Sequence, residues 1–162
     1  MKGDLMSLQR VTPCLWFDTQ AEEAVSFYTG IFSASKIIQT VYNPEGGPSP
    51  AGTVLTIFFE LDGQQYMALN AGPRYKFTEA ISLMVNCKTQ QEIDYYWDKL
   101  TGSGGSEVEC GWVKDQFGLF WQIIPESLPE LLSNPATSGK VLHAVWSMKK
   151  IDLATLEAAA RP

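Results

Sequence analysis

The sequence predicts an α+β fold made of two consecutive modules, and two observations carry this prediction. The order strand, helix and three strands occurs twice along the chain. In each half the helix begins with the Thr-x-x-Glu pattern of a capping box, at Thr19 to Glu22 and again at Thr89 to Glu92. We therefore predict a single domain over residues 10–125 that consists of paired βαβββ modules, residues 10–72 and residues 78–125.

The first module opens with a strand that contains Trp16 and Phe17, and its helix follows Thr19 with apolar residues at helical spacing. Asp62-Gly63 is a strong two-residue hairpin signal between two runs rich in β-branched and aromatic residues. Residues 43–52 are rich in Pro, Gly and Asn and therefore predict a loop. The predicted strands are residues 11–17, 35–41, 53–61 and 65–69.

The second module contains the most informative stretch, residues 111–125, which has the pattern of a hairpin. Asp115 suits the first position of a four-residue turn and Gly118 suits the last. The strand after this turn carries one amide, Gln122, among aromatic and aliphatic neighbours. The predicted strands of this module are residues 81–85, 112–113 and 119–124.

The extension over residues 126–162 is predicted to be helical. Ser127 and Glu130 have capping-box spacing, and Asp152 is suited to cap the last helix. Short helices are predicted at residues 140–148 and 153–160. Because these helices are partly apolar, we expect them to pack on the domain or on a partner subunit.

Composition excludes several classes of function. The formal net charge of −6 offers no electrostatic footprint for nucleic acid or for an anionic membrane. No apolar run is long enough for a transmembrane helix, and residues 1–9 lack the apolar core of a signal peptide. Cys14, Cys87 and Cys110 are scattered without metal-binding spacing, which favours free thiols in a reducing cytoplasm.

Three features suggest function, and each has a structural alternative. His143 is the only histidine, but it lies in a predicted tail helix, where a surface or packing role is favoured. The Gly/Ser-rich run over residues 101–106 follows a helix and leads into a strand, which favours a linker over a phosphate-binding loop. Aromatic residues on the strands alternate between faces, so about half belong to the core and the others are available to line an apolar pocket.

Four segments of the sequence carry a resemblance to a known family. They are P-C-L-W-F-D with A-E-E-A-V-S-F-Y (13–28), L-D-G-Q-Q-Y-M-A-L-N-A-G-P (61–73), C-G-W-V-K-D-Q-F-G-L-F-W-Q-I-I-P (110–125) and M-K-K-I-D (148–152). Together they are similar to the PhnB-like group, often named 3-demethylubiquinone-9 3-methyltransferase-like, within the vicinal oxygen chelate superfamily of glyoxalase I and bleomycin-resistance proteins. The resemblance implies curled mixed sheets in each βαβββ module and assembly as a homodimer.

Metal-dependent members of this superfamily place His or Glu at four positions of the cup-shaped sheet face. By the resemblance these positions correspond here to Thr12, Ala68, Ala80 or Ser82, and Gln122. None is a histidine or a carboxylate, which divalent metals prefer, so we predict no bound metal, no cofactor and no glyoxalase activity. The methyltransferase name is likewise not accompanied by an S-adenosylmethionine motif in the sequence.

Alternation along the matched strands then predicts the pocket lining. No general acid or base is evident in it, and Cys14 lacks a basic neighbour in sequence that would activate it as a nucleophile. The catalytic residues, if any, are therefore not identified. The predicted lining is Thr12, Cys14, Trp16, Tyr66, Ala68, Asn70, Ser82, Met84, Phe120 and Gln122.

Three functions are compatible with such a pocket. The first is a dimeric protein that binds or sequesters a small, planar, hydrophobic molecule in the cup between the sheets. The second is an enzyme acting on a quinone-like substrate, as the family name suggests. The third is a catalytically degenerate interaction module whose tail helices mediate assembly.

Overall fold

A computed structural model describes residues 8–161 and divides them into two compact units, one ending at Lys76 and the other beginning at Phe77. Each unit contains one βαβββ module, as predicted, and the tail helices belong to the second unit. The first unit contains β1 (Cys14–Phe17), α1 (Ala21–Ile31), β2 (Ser35–Tyr42), β3 (Val54–Leu61) and β4 (Gln64–Asn70). The second contains β5 (Ser82–Cys87), α2 (Gln90–Thr101), β6 (Ser106–Glu107), β7 (Trp112–Lys114), β8 (Phe120–Pro125), α3 (Leu128–Ser133), α4 (Ser138–Trp146) and α5 (Leu153–Ala159).

Both sheets are mixed and have the same topology. The strand order is β1-β4-β3-β2 in the first sheet and β5-β8-β7-β6 in the second. The first strand of each module pairs in parallel with the last, and the remaining pairs are antiparallel. In the described part of the chain, no helix is both long and apolar enough to cross a membrane.

The two predicted hairpins are confirmed. Asp62 and Gly63 have positive φ angles of 46° and 82°, as a type I′ turn between β3 and β4 requires. Between β7 and β8, the Gly118 amide donates to the Asp115 carbonyl oxygen at 3.0 Å. Each hairpin therefore follows from its turn residues.

The helix caps are only partly as predicted. The second capping box is confirmed, because the Glu92 amide donates to Thr89 Oγ1 at 3.2 Å and the Glu92 carboxylate accepts from the Lys88 amide. The cap predicted at Ser127 is wrong, since its side chain makes no capping bond. One reason is that Pro129 occupies the second helical position and has no N–H to donate.

The capping box predicted at Thr19 is also wrong. The residue before α1 is Gln20, whose side chain makes no capping hydrogen bond. The cap comes instead from Asn70 at the end of β4, whose Oδ1 accepts from the Ala21 amide at 2.9 Å. The Asn70 Nδ2 also donates to the Val54 carbonyl oxygen at 3.1 Å. A residue distant in sequence therefore ties the start of α1 to the start of β3.

Replacing Asn70 with alanine should lower the free energy of unfolding of the first unit by about 2 kcal/mol, because both the cap and the bond to Val54 are lost. Asn70→Asp should recover part of this loss, since a carboxylate still accepts from the Ala21 amide and suits a helix N-terminus. Urea denaturation of the three proteins measures the effect. Equal stability of Asn70→Ala and the native protein would contradict this role.

Hydrogen bonds attach the C-terminal extension, residues 126–162, to the second module. The amides of Cys110 and Gly111 donate to the carbonyl oxygens of Met148 and Lys149 at 2.8 and 2.7 Å. The Gln90 side chain donates to the Ile151 carbonyl oxygen and accepts from the Leu153 amide, at 3.1 and 2.8 Å. Ile151 and Leu156 are fully buried. The residues after α4 thus contribute to the core of this unit. This agrees with the expectation that the tail packs on the domain.

Candidate functional site

The sheet of the second unit has one face against α2 and one face turned away from it. Val85, Trp121 and Ile123 are buried on the helix side. Strand pairing aligns Ser82 with Phe120, Met84 with Gln122, and Trp112 with Gln122, so these side chains share the other face. We call the surface formed by these five the second open face: Ser82, Met84, Trp112, Phe120 and Gln122.

A hydrogen-bonded pair lies on the second open face. Gln122 Nε2 donates to Ser82 Oγ at 2.7 Å. Because the serine oxygen accepts here, its own O–H is available to donate, and the Gln122 carbonyl oxygen is available to accept. Within the described residues neither group has another partner. The pair can therefore both donate to and accept from a neutral polar group.

The surroundings of this pair are apolar. Met84 is 55% exposed, and Trp112 packs at a tilt against Phe120 with their ring centroids 6.4 Å apart. Phe120 itself is buried. An exposed thioether and an indole beside one amide–hydroxyl pair resemble the lining of a small-molecule site, which is mostly apolar with few polar groups.

In the first unit, the predicted lining residues do not share one face. The parallel pairing aligns Leu15 with Ala68 and Phe17 with Asn70, whereas Cys14 and Trp16 align with Met67 and Leu69. Ala68 is fully buried, on the side that α1 covers. The expectation that Tyr66, Ala68 and Asn70 line the same surface as Cys14 and Trp16 is therefore corrected.

Tyr66 provides independent evidence for this correction. Its ring stacks on Phe59 with centroids 5.4 Å apart, and Phe59 stacks in turn on Tyr28 of α1. Burial raises the pKa of the Tyr66 hydroxyl above its usual value. Tyr66, which is half-buried, therefore lies on the helix side of the sheet.

Trp16 marks the accessible aromatic surface of the first unit. Its indole N–H donates to the Gly72 carbonyl oxygen at 2.8 Å, and its ring meets Tyr75 edge-on with centroids 5.0 Å apart. The Arg74 guanidinium carbon lies 5.2 Å from the centre of the Tyr75 ring. The sequence gives no indication of a role for Tyr75 or Arg74, because both follow the last strand of the module in a segment without regular periodicity.

The cysteines and His143 show no sign of catalytic activation. Cys14 is exposed at the start of β1, but partial desolvation raises the pKa of its thiol, which lowers the thiolate population at neutral pH. Burial, together with the negative charge of Glu92, raises the pKa of Cys87 to about 12. His143 is exposed on α4. We identify no catalytic residue among these groups.

The matched metal positions do not fit a divalent metal. Thr12 precedes β1 and its hydroxyl donates to the Gln9 carbonyl oxygen, while Ala80 precedes β5 and Ala68 has no ligating atom. Ser82 and Gln122 supply only neutral oxygens. Across residues 8–161, no cluster of three His, Cys, Asp or Glu side chains could hold a metal. The donor set thus gives no basis for metal-dependent chemistry at these positions.

A buried carboxylate supports the strand that carries Gln122. Asp115 is 2% exposed; its Oδ1 accepts from the amides of Phe117 and Leu119, and its Oδ2 accepts from the indole N–H of Trp121 at 2.8 Å. The sequence pattern indicates only a turn position for Asp115. The signal that could have indicated a buried carboxylate is Trp121, six residues later on the face opposite Gln122, because its indole N–H needs an acceptor.

The architecture defines the class of protein. Two βαβββ modules with mixed sheets form the glyoxalase/bleomycin-resistance fold of the vicinal oxygen chelate superfamily. The fosfomycin resistance protein FosX from Listeria monocytogenes, in a structure with Mn(II) and sulfate, is similar in fold, with 14% identity and a TM-score of 0.53 over 80% of this chain and 97% of that chain. A likeness at this identity concerns the fold alone.

Sequence comparison then gives the family. The model described as 3-demethylubiquinone-9 3-methyltransferase matches residues 9–124. A structure described as a 3-demethylubiquinone-9 3-methyltransferase, PhnB protein, from Bacillus cereus is 35% identical, with a TM-score of 0.66 over 72% of this chain and 99% of that chain. The chain therefore belongs to this PhnB-like family.

Other comparisons add less. A protein from Pseudomonas aeruginosa is 21% identical, with a TM-score of 0.60 over 74% of this chain and 98% of that chain, which again supports the fold alone. No match to the sequence was found among curated proteins.

Proposed function

We propose that the second open face binds a small, neutral, planar aromatic or hydrophobic molecule without a metal, and that binding or sequestering this molecule is the function. The Gln122–Ser82 pair carries the proposal, because it offers one acceptor and one donor beside Met84 and Trp112. The expected position of the ligand in a cup between the sheets stays a prediction.

The expected affinity is modest. Covering about 150 Å² of apolar surface contributes roughly 4 kcal/mol, and the loss of translational and rotational freedom offsets part of this gain. One neutral hydrogen bond adds about 1 kcal/mol. A ligand of about ten heavy atoms should therefore bind with a Kd of about 1 mM.

The matched ligands 2-naphthol and naphthalene test the polar part of the site. Calorimetric titration should give saturable binding of 2-naphthol, and Gln122→Leu should weaken it about three- to tenfold because one hydrogen bond is lost. Ser82→Ala should act in the same direction. Naphthalene, which lacks the hydroxyl, should bind equally to the native protein and to Gln122→Leu.

A control substitution makes the same chemical change elsewhere. Gln39 is exposed on β2 of the first unit, so Gln39→Leu should leave the 2-naphthol affinity within about twofold of the native value. If Gln122→Leu and Gln39→Leu bound 2-naphthol as tightly as the native protein, the proposed site would be wrong.

A second candidate is an enzyme that acts on a quinone-like substrate, and the family match favours it. Such an enzyme, if a methyltransferase, must bind S-adenosylmethionine. Calorimetric titration of the folded protein with S-adenosylmethionine separates the candidates. Measurable heat with saturation would favour the enzyme, and its absence would favour binding alone.

We also propose a cytoplasmic homodimer. The family resemblance supports the dimer, and the free thiols of Cys14, Cys87 and Cys110 support a reducing compartment. Light scattering should give twice the chain mass of 18.0 kDa, and cell fractionation should recover the protein with cytoplasmic markers. A monomer mass at micromolar concentration would contradict the proposed dimer.

A further inference from the structure

The first unit contains a cleft that the proposed function does not use. Its volume is about 410 Å³, and it lies where the start of α1 approaches the loop between β2 and β3. Most of the residues in its walls are polar, although more than half of the surface that they present to the cleft is apolar. They include Asp18, Glu22, Asn43, Ser49, Thr53 and Asn70.

The walls of the cleft are held in place by hydrogen bonds. Asn70 joins the Ala21 amide to the Val54 carbonyl oxygen, at 2.9 and 3.1 Å. The loop is closed at its base, where the Asn43 amide donates to the Thr53 carbonyl oxygen and the Gly52 amide donates to the Asn43 carbonyl oxygen, at 2.8 and 3.0 Å. The cleft is therefore preformed.

Asn43 carries a polar atom suited to a ligand. Asn43 is only 5% exposed. Its Nδ2 donates to the Thr53 carbonyl oxygen at 3.2 Å and to the Thr53 hydroxyl at 3.0 Å. Because a carbonyl oxygen can only accept, these bonds fix which end of the amide is Nδ2. Within residues 8–161 no hydrogen bond uses the remaining atom, Oδ1. A nearly buried acceptor thus lines the cleft without a partner.

The charge of the cleft is negative. Asp18 and Glu22 line it, and none of the described residues in its walls is basic. The N-terminus of α1 contributes roughly +0.5 charge, which two carboxylates outweigh. Both carboxylates are exposed, so their attraction for a cation is screened by salt.

We propose that this cleft binds a small organic cation with a primary ammonium group. An ammonium has three N–H donors and no acceptor, which matches a site whose available groups are the carboxylates of Asp18 and Glu22 and the Oδ1 of Asn43. Among residues 8–161 no group of three His, Cys, Asp or Glu side chains could hold a metal ion, which favours an ammonium group over a divalent metal here. The alkyl part of the ligand would contact Pro50 and Val54.

Putrescine and butane-1,4-diol are a matched pair of probes, since the diol has hydroxyls in place of the ammonium groups. In an NMR titration at about 20 mM salt, putrescine should shift the amide signals of Gly52 and Gly72 with a Kd of about 1–10 mM. The diol should cause no saturable shift. Raising the salt to about 0.3 M should weaken putrescine binding.

Two charge-neutralising variants test whether the carboxylates of the cleft are responsible for putrescine binding. Asp18→Asn combined with Glu22→Gln should weaken putrescine binding about five- to tenfold. Glu23→Gln removes a charge from the same helix at a residue outside the cleft walls, so it should change the affinity less than about twofold. Thermal unfolding should show that the variants remain folded.

Some results would overturn the proposal. They are the absence of saturable shifts with putrescine, equal shifts with the diol, or an equal loss of affinity in Glu23→Gln and in the double variant. Calcium chloride at the same ionic strength should not reproduce the shifts. If calcium did so and putrescine did not, the cleft would be a metal site and the proposal would be wrong.

Discussion

Asp115→Asn should lower the free energy of unfolding of the second unit by about 2–4 kcal/mol, although it changes only one atom of a side chain. The asparagine oxygen can still accept from the amides of Phe117 and Leu119. Its NH₂ group, however, would meet the indole N–H of Trp121, which now donates to the carboxylate at 2.8 Å. Two donors would then face each other in a site where Asp115 is only 2% exposed, and water cannot compensate.

A double-mutant cycle tests whether the indole is the cause. Trp121→Phe removes the N–H and leaves a cavity, so it should destabilise the protein on its own. Combined with Asp115→Asn, it should cost about 1–2 kcal/mol less than the sum of the two single changes, because the donor–donor contact no longer exists. Urea denaturation provides the four free energies. Strict additivity would show that the Asp115–Trp121 bond does not explain the loss.

Gly111→Ala should destabilise the second unit by roughly 3 kcal/mol. Gly111 has a φ of +82°, a conformation that is strained for alanine, and an added Cβ would lie 2.9 Å from the Ile123 carbonyl oxygen and 3.0 Å from side-chain carbons of Ile124 and Ile151. The carbonyl oxygen belongs to β8 and cannot move without disturbing the sheet. The same change should loosen the tail, since the Gly111 amide donates to the Lys149 carbonyl oxygen.

Gly118→Ala separates the two causes. Gly118 has a similar φ of +89°, but a Cβ there would meet no atom within 4 Å. It should therefore cost only about 1 kcal/mol, the price of the left-handed conformation. Thermal unfolding measures both variants, and limited proteolysis reports release of the tail. Equal destabilisation by the two substitutions would contradict the steric explanation.

Local signals in the sequence predicted the repeated modules and both hairpins. Asp62-Gly63 and the turn from Asp115 to Gly118 act through residues adjacent in sequence, and so does the Thr89 cap. The cap of α1 was mispredicted because it comes from Asn70, and only the folded chain brings Asn70 to the helix. Local patterns cannot reveal such a partner.

The alignment of strands assumed for the predicted pocket lining agrees with the strand pairing of one sheet and differs from that of the other. In the second unit, the parallel pair β5–β8 places Ser82, Met84, Phe120 and Gln122 on one face, as alternation predicted. In the first unit the pairing of Leu15 with Ala68 differs by one residue from the alignment that the prediction assumed. Because side chains alternate along a strand, this shift moves Tyr66, Ala68 and Asn70 to the opposite face.

The most direct test of metal-free ligand binding at the second open face is an NMR titration with 2-naphthol in the presence of EDTA. The side-chain amide of Gln122 and the methyl group of Met84 are the reporters, because both lie on this face. We predict saturable shifts of both signals without metal, and no gain in affinity when EDTA is replaced by manganese or zinc. Shifts confined to other residues, or binding that requires added metal, would contradict the proposed function.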